Sequence, residues 1–211
     1  MQDIYLLRHA HVDYAPGTPI NADNPLTPLG HEMARRLAER CADWDLQRLY
    51  ASTMRRAQET AAHISARLPD LSRRDTPAFA ETSIIDLSGY PGATVTEDLN
   101  GWQDDHFAFA NEHMWTRVLQ GLEDVRAEME REGLKRVAIV SHGGPINAMI
   151  RHALGQEVVR LRTCWIELDW STTSCLRFAP KETGIQAWVR WVNDARHIDD
   201  LRHLLAQEWD T

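Results

Sequence analysis

Two stretches decide the fold: Ile4-Tyr5-Leu6-Leu7-Arg8-His9 at the start of the chain, and Val137-Ala138-Ile139-Val140-Ser141-His142-Gly143-Gly144 two thirds of the way along. Each holds four consecutive apolar residues and then turns polar. So short a run, without alternation, reads as a strand with both faces buried. Such strands belong to parallel sheets covered by helices. The second run leads through Gly143-Gly144-Pro145 into a helical pattern with Ile146, Met149, Ile150 and Ala153 on one face.

The intervening chain alternates in the same way. Residues 10–26, rich in Pro, Gly, Asn and Asp, read as a loop. Thr27 caps a helix with Pro28 at its first position, and Leu29, Met33, Leu37 and Cys41 step along its inner face. Arg48–Ala51 reads as a second strand. Ser52 or Thr53 is expected to cap the next helix, whose inner face is Met54, Ala57, Ala61 and Ile64. A third strand is expected at 77–81, a long helix at roughly 111–132, β-rich runs near 164–169, 173–179 and 186–192, and a short helix near 198–207. The expectation is an α/β fold, a three-layer α/β/α sandwich with a mostly parallel central sheet and helices on both faces. Residues 1–211 read as a single domain, with 82–110 as a substrate-covering insertion; no period holds from 82 to about 103.

The composition narrows the function. Lys and Arg total 23 against 31 Asp and Glu, a net charge of −8, and 21 of the 23 cations are arginine. An acidic chain without a basic block suits neither nucleic acid nor an anionic membrane surface. The 43 % hydrophobic and 26 % charged residues are those of an ordinary globule. No apolar run is long enough to span a bilayer. The first strand begins at once, with no basic segment or cleavage site before it, which reads as cytoplasmic. Cys41, Cys164 and Cys175 show neither metal-ligand nor disulfide spacing and read as buried thiols. The eight tryptophans are many for this length, and some are expected to line a pocket. Most arginines reflect base composition, but a guanidinium matches phosphate in a bidentate way, so position matters more than number.

The positions converge. Arg8, His9 and His11 follow the first strand, Arg55 and Arg56 fall in the first helical turn after the second, and His142 follows the strand ending at Ser141. In open α/β sheets the carboxyl ends of the strands form the ligand crevice, and helix N-termini add N–H donors there. Arginines, imidazoles and helix N-termini gathered at one point suit a phosphate and repel a cation. A neutral imidazole attacks phosphorus through one ring nitrogen when the other holds its proton against a fixed acceptor. Neighbouring arginines disfavour its protonation and stabilise the transferring phosphoryl oxygens. A carboxyl group is then needed to protonate the leaving oxygen and later to activate water.

The sequence resembles the histidine phosphatase superfamily, which includes cofactor-dependent phosphoglycerate mutases and many small phosphatases. Leu7-Arg8-His9-Ala10 resembles L-R-H-G, Leu26-Thr27-Pro28-Leu29-Gly30 resembles L-T-x-x-G, Ser52-Thr53-Met54-Arg55-Arg56-Ala57 resembles S-x-L-x-R-A, and Val140-Ser141-His142-Gly143-Gly144 resembles V-x-H-G-G. Val192-Asn193-Asp194-Ala195-Arg196-His197 is similar to a tail motif of the smaller phosphatase-like members. The resemblance implies a phosphoglycerate mutase-like fold and phosphomonoester hydrolysis through a phosphohistidine at His9. Arg8, Arg56 and His142 would hold the phosphoryl group with the Gly143 amide. Glu81, in Phe79-Ala80-Glu81, would be the proton donor, with Asp86 and Glu97 as alternatives. No metal, nucleotide or other cofactor is implied, and the partner is a small phosphorylated metabolite.

The chain also departs from the pattern. Ala10 stands in place of glycine and Met33 in place of glutamine. His11-Val12-Asp13-Tyr14-Ala15 replaces E-T-x-x-N, so that Asn21 or Asn24 is the candidate for the missing phosphate-contacting asparagine. His11 is either a substrate-binding residue or a loop histidine at the pocket rim. Asn193 and His197 read as braces for the C-terminal helix. Trp102, His106, Phe107, Phe109, His113 and Trp115 form either a lid or a helix packing face. Three other functions stay open: phosphoglycerate mutase-type transfer, a metal-dependent hydrolase using His9-x-His11-x-Asp13, and a non-catalytic phosphoester-binding module. The shorter chain favours hydrolysis over transfer. The oligomeric state is open, a homodimer included.

Overall fold

A computed structural model describes residues 1–14, 24–88, 90, 103–156, 165–182 and 184–205. The sheet has six strands: β1 (Gln2–Arg8), β2 (Arg48–Ser52), β3 (Arg73–Thr76), β4 (Arg136–Ser141), β5 (Thr173–Lys181) and β6 (Gly184–Asp194). The helices are α1 (Pro28–Cys41), α2 (Arg55–Arg67), α3 (Asp104–Glu132), α4 (Gly143–Ala153) and α5 (Arg202–Leu205). The strand order is β3-β2-β4-β1-β5-β6. β3, β2, β4 and β1 run parallel, and the β5–β6 hairpin adds two antiparallel strands.

The unbroken apolar runs serve two faces. Ile4, Leu6, Val137 and Ile139 pack under α3 and α4, against Met114, Val118, Leu122, Ile146 and Met149. Their neighbours Tyr5, Leu7, Ala138 and Val140 pack under α1 and α2, against Leu37, Ala57, Ala61 and Ile64. The helix after β1 therefore lies on one face and the helix after β4 on the other. Because β1 and β4 are adjacent, a crevice opens between their carboxyl ends, the position favoured for ligands in open α/β sheets.

Several expected boundaries shift, each for a local reason. The third strand is Arg73–Thr76, not 77–81; Pro77–Phe79 is a 3-10 turn capped by the Thr76 hydroxyl. Arg73-Arg74-Asp75-Thr76 is a charged edge strand, so it shows no apolar period. α3 begins at Asp104, ahead of the expected 111. Gln103 and His106 form its reciprocal cap, a pairing outside the usual Ser/Thr/Asp/Asn signal. Residues 165–169 are no strand; they form a strap whose Ile166 backbone is held at both ends by the Asn147 side chain. α2 is entered at Met54 without a side-chain cap; Ser52, two residues earlier, takes the Met54 N–H at 3.2 Å instead. Arg196–Leu201 is a 3-10 helix leading into α5. Within 82–110, Ile84–Leu87 forms a 3-10 turn and residues from Asp104 open α3; residues 91–102 lie outside the described residues.

The α1 start matches the sequence reading and explains one glycine. Thr27 Oγ1 accepts the Gly30 N–H at 3.0 Å, and Thr27 N–H donates to the His11 carbonyl at 3.1 Å. A Cβ on Gly30 would overlap that same carbonyl oxygen. Thus the Thr-x-x-Gly spacing ties the helix to the strand that carries His9. Gly30→Ala should destabilise the fold by roughly 1–3 kcal/mol, the cost of overpacking against backbone that cannot move. Thermal melting should show a Tm lower by about 2–4 °C for each kcal/mol. An unchanged Tm would mean that the loop is not pinned there.

Candidate active site

Register builds the site. β1 and β4 pair with Arg8 opposite Ser141, so His9 and His142 leave adjacent strands at the same level. Their ring centroids are 5.0 Å apart, close to the spacing of neighbouring strands (about 4.8 Å). β2 lies on the other side of β4 with Ala51 opposite Val140, which brings Ser52 level with Ser141. Its hydroxyl meets His142 Nε2 at 2.7 Å. The first turn of α2 then carries Arg56 back over His9.

His9 is 2 % exposed. Its Nδ1 lies 2.8 Å from the Ala10 carbonyl, an acceptor that holds the proton on that nitrogen. Arg56 Nε donates to His9 Nε2 at 3.2 Å, as it must to a lone pair. Burial, then Arg56 and Arg8, hold His9 well below the ordinary histidine value, and burial, Arg56 and His9 do the same for His142. Both rings are therefore neutral, and His9 presents an unprotonated Nε2 beside a guanidinium. The Nδ1 of His142 is buried with no hydrogen-bond partner among the described residues.

The surroundings fix this arrangement. Thr60, one turn after Arg56, takes the Ala10 N–H at 3.0 Å and donates to the Arg56 carbonyl at 2.8 Å. One hydroxyl thus links the nucleophile loop to the arginine helix. Arg56 is 3 % exposed and also donates to Met54 Sδ at 3.2 Å. Arg55, by contrast, is half-exposed and paired with Glu59. Arg8 donates to the Leu168 carbonyl and lies 3.9 Å over the Trp170 ring. The methyl of Ala10, where glycine was expected, packs with Val12, Leu26, Met33 and Trp170.

Glu81 sits at the N-terminus of α4. Its Oε2 accepts the Gly144 N–H at 3.0 Å and its Oε1 the Thr82 N–H at 3.0 Å. A Cβ on Gly144 would overlap the carboxylate, so this glycine makes room for the acid. Gly143, the first helical residue, has no intrahelical partner for its N–H. The exposed indole of Trp165 lies 3.8 Å from where a Gly143 Cβ would stand. Asp86 is spent elsewhere. It is buried, pairs with Arg117 at 2.9 and 3.0 Å, and takes the Ser83 N–H. Arg117 also holds the carbonyls of Pro77, Ala78 and Ala80, so the pair clamps the loop that presents Glu81. Glu97 and Asn21 lie outside the described residues.

Other candidates fall differently from the sequence reading. His11 is not at the rim: it is buried, with Nδ1 2.7 Å from Thr27 Oγ1 and its ring edge-on to Trp170. Asn24 is buried. Asn193 and His197 are braces, but for other elements than α5. Asn193 holds Asp169 by N–H and carboxylate, while His197 meets Arg40 and Ser171 and is lowered to about 4 by burial and Arg40. Trp115 is core. Phe107 and Phe109 pack with Tyr90, Leu87 and Ala110 in a small separate cluster; Trp102 lies outside the described residues. Cys41 and Cys175 are buried free thiols; Cys164 is outside the described residues. Sequence reasoning missed Ser52, Thr60, Arg117 and Trp170. Ser52 stands in the S-x-L-x-R-A motif, and Thr60 stands four residues from Arg56 on the same helix face; Arg117 has no local signal. Tyr14 was missed too. It packs against Trp170, and burial raises its phenol, against the opposing charges of Arg56 and Arg8.

Two neutral imidazoles, two guanidiniums, a helix N-terminus and a carboxylate meet at the carboxyl ends of β1 and β4, a setting whose charge and donors suit a phosphoryl group. Among the described residues no three His, Cys, Asp or Glu side chains gather as a metal-ligand set, and Arg56 occupies the open side of His9 Nε2. No helix among them is long and apolar enough to cross a membrane.

Comparisons with known proteins bear on the family and the fold. A probable phosphatase of Schizosaccharomyces pombe is 25 % identical over 207 residues, covering 97 % of this chain and 96 % of that protein. A probable phosphoglycerate mutase of an Enterobacter species is 25 % identical, covering 94 % and 96 %. Among solved structures, mycobacterial glucosyl-3-phosphoglycerate phosphatase superposes with a TM-score of 0.67 at 21 % identity, over 92 % of this chain and 100 % of that one. Phosphoserine phosphatase from Entamoeba histolytica gives 0.63 at 20 % identity, over 94 % and 100 %. Residues 4–192 match the family model throughout, and the chain belongs to the histidine phosphatase superfamily (branch 1).

Proposed function

We propose that this protein is a phosphomonoester hydrolase that works through a phosphohistidine at His9, on a small phosphorylated metabolite in the cytoplasm. The observation that carries the reading is the divided duty of the His9 ring: Nδ1 faces the Ala10 carbonyl and Nε2 faces Arg56. As the Arg56 guanidinium turns from Nε2 to the phosphoryl oxygens, the freed Nε2 lone pair attacks phosphorus, forming a P–N bond as the P–O bond to the leaving group breaks. Arg8, Arg56, His142 and the Gly143 amide bear the charge on the phosphoryl oxygens. Glu81, as the carboxylic acid, gives its proton to the leaving oxygen. Glu81, now a carboxylate, takes a proton from water. The resulting hydroxide attacks phosphorus, the P–N pair returns to Nε2, and phosphate leaves. The segment 82–110 would cover the substrate.

A relative named as a phosphatase supports hydrolysis, and one named as a phosphoglycerate mutase at the same identity makes transfer the alternative. The metal-hydrolase alternative is opposed by Arg56 and Arg8, whose charges beside His9 would repel a cation and attract a phosphate. A binding module without catalysis is opposed by the complete set of nucleophile, guanidiniums and carboxylate.

The purified protein should release phosphate from phosphorylated metabolites in the presence of a chelator, and His9→Ala should abolish this without loss of fold. Full activity in that variant would refute the mechanism. Glu81→Gln should slow hydrolysis of alkyl phosphates on the order of 10²–10⁴-fold, the usual worth of a general acid, and slow nitrophenyl phosphate far less in the first step. Equal losses would exclude Glu81 as the acid. The depressed values of the two histidines predict that pH must fall well below 6.5 before either ring is charged. Imidazole ¹⁵N shifts should therefore keep neutral-ring values as the pH falls through the ordinary histidine range, where an unperturbed ring would titrate.

A further inference from the structure

The turn Leu168–Thr172 is bound directly to the backbone of the two residues that begin the site. Ser171 N–H donates to the His9 carbonyl at 3.1 Å, and Arg8 N–H donates to the Thr172 carbonyl at 3.0 Å. The turn is itself held. Asn193 takes the Asp169 N–H at 2.8 Å, Thr172 Oγ1 donates to the Asp169 carbonyl at 2.8 Å, and Ser171 and Asn193 both adopt left-handed backbone with φ of 59° and 55°. Left-handed backbone is uncommon for residues other than glycine, and here the surrounding hydrogen bonds over-determine it.

This turn carries Trp170, which is 7 % exposed. Its ring lies 3.9 Å beneath the Arg8 guanidinium carbon, and its centroid is 5.2 Å from His9, 5.6 Å from His11 and 5.8 Å from Tyr14. A guanidinium donates only in its own plane. An indole against its face leaves the edge as its binding surface and restricts rotation of the long side chain. One Arg8 nitrogen is tied to the Leu168 carbonyl, which fixes the rotation within that plane.

We propose that Trp170 is a positioning residue for phosphoryl binding: it holds the Arg8 guanidinium flat, edge toward the phosphoryl group, beside His9. The inference rests on the phosphoester reading of the site. Lysine at position 8 keeps the charge but has no plane to stack, so the contribution of Trp170 should vanish with Arg8.

The test is a double-mutant cycle read by calorimetric binding of inorganic phosphate, which needs no turnover. Trp170→Leu should weaken phosphate binding roughly tenfold, the order expected for a desolvated cation–π contact, measured well below the lowered Tm of the variant. In an Arg8→Lys background the same substitution should change binding less than about twofold. Equal losses in both backgrounds would make Trp170 a general packing residue and overturn the proposal, as would Trp170→Leu with unchanged affinity. Should Trp170→Leu not fold, Trp170→Phe carries the same cycle, because a smaller aromatic face should lose roughly threefold with Arg8 present and nothing with lysine. A wild-type protein that binds no phosphate would instead refute the reading of the site, and this inference with it.

Discussion

The parallel pairing of β1 with β4, Arg8 opposite Ser141, is the constraint on which the rest of the site depends. It sets two histidines side by side at one strand spacing, and it does so from backbone hydrogen bonds alone. A slip of one residue would turn every side chain of the strand to the other face. Both faces are apolar here, so such a slip would cost little burial by itself. The register is held instead by the segments just beyond the strand ends. Thr60 takes the Ala10 N–H, Thr27 and Gly30 close on the His11 carbonyl, and the 168–172 turn bonds to both Arg8 and His9.

Within that frame the electrostatics are one-sided. Two guanidiniums and two buried imidazoles meet at a point, and the imidazoles yield by staying neutral. An anion relieves the excess positive charge; a cation would add to it. The formal net charge of −8 is a global sum that says nothing of this local field. Glu81, the carboxylate at the start of α4, is held by the Gly144 and Thr82 amides. The glycines serve the same end. Gly144 admits the acid and Gly30 admits the loop, each because a Cβ would occupy the space of an oxygen.

This construction decides which parts were legible in the sequence. The doubly buried strands and the helix starts after them could be read because apolar runs and Thr-Pro or Gly-Gly punctuation are local signals. His9, His142, Arg8 and Arg56 could be placed because strand ends converge in such sheets. The edge strand at Arg73–Thr76 could not, since its residues are charged, nor the early start of α3, whose cap uses Gln103 and His106. The choice between Glu81 and Asp86 needed the structure: only there does Arg117, 31 residues beyond Asp86, take the second carboxylate out of play. Trp170 was hidden for the same reason, its partners being contributed by the other end of the chain.

The central claim is that His9 Nε2 carries the phosphoryl group during turnover. It is tested most directly by rapid quenching of the Glu81→Gln variant with nitrophenyl phosphate, with mapping of the modified residue. A good leaving group needs little help to depart, while loss of the carboxylate slows the attack of water, so an adduct should accumulate. The predicted result is one acid-labile, base-stable phosphoryl group per chain, located on His9 and absent from the variant that also carries His9→Ala. Phosphate release with no such adduct, or an adduct on any other residue, would contradict it.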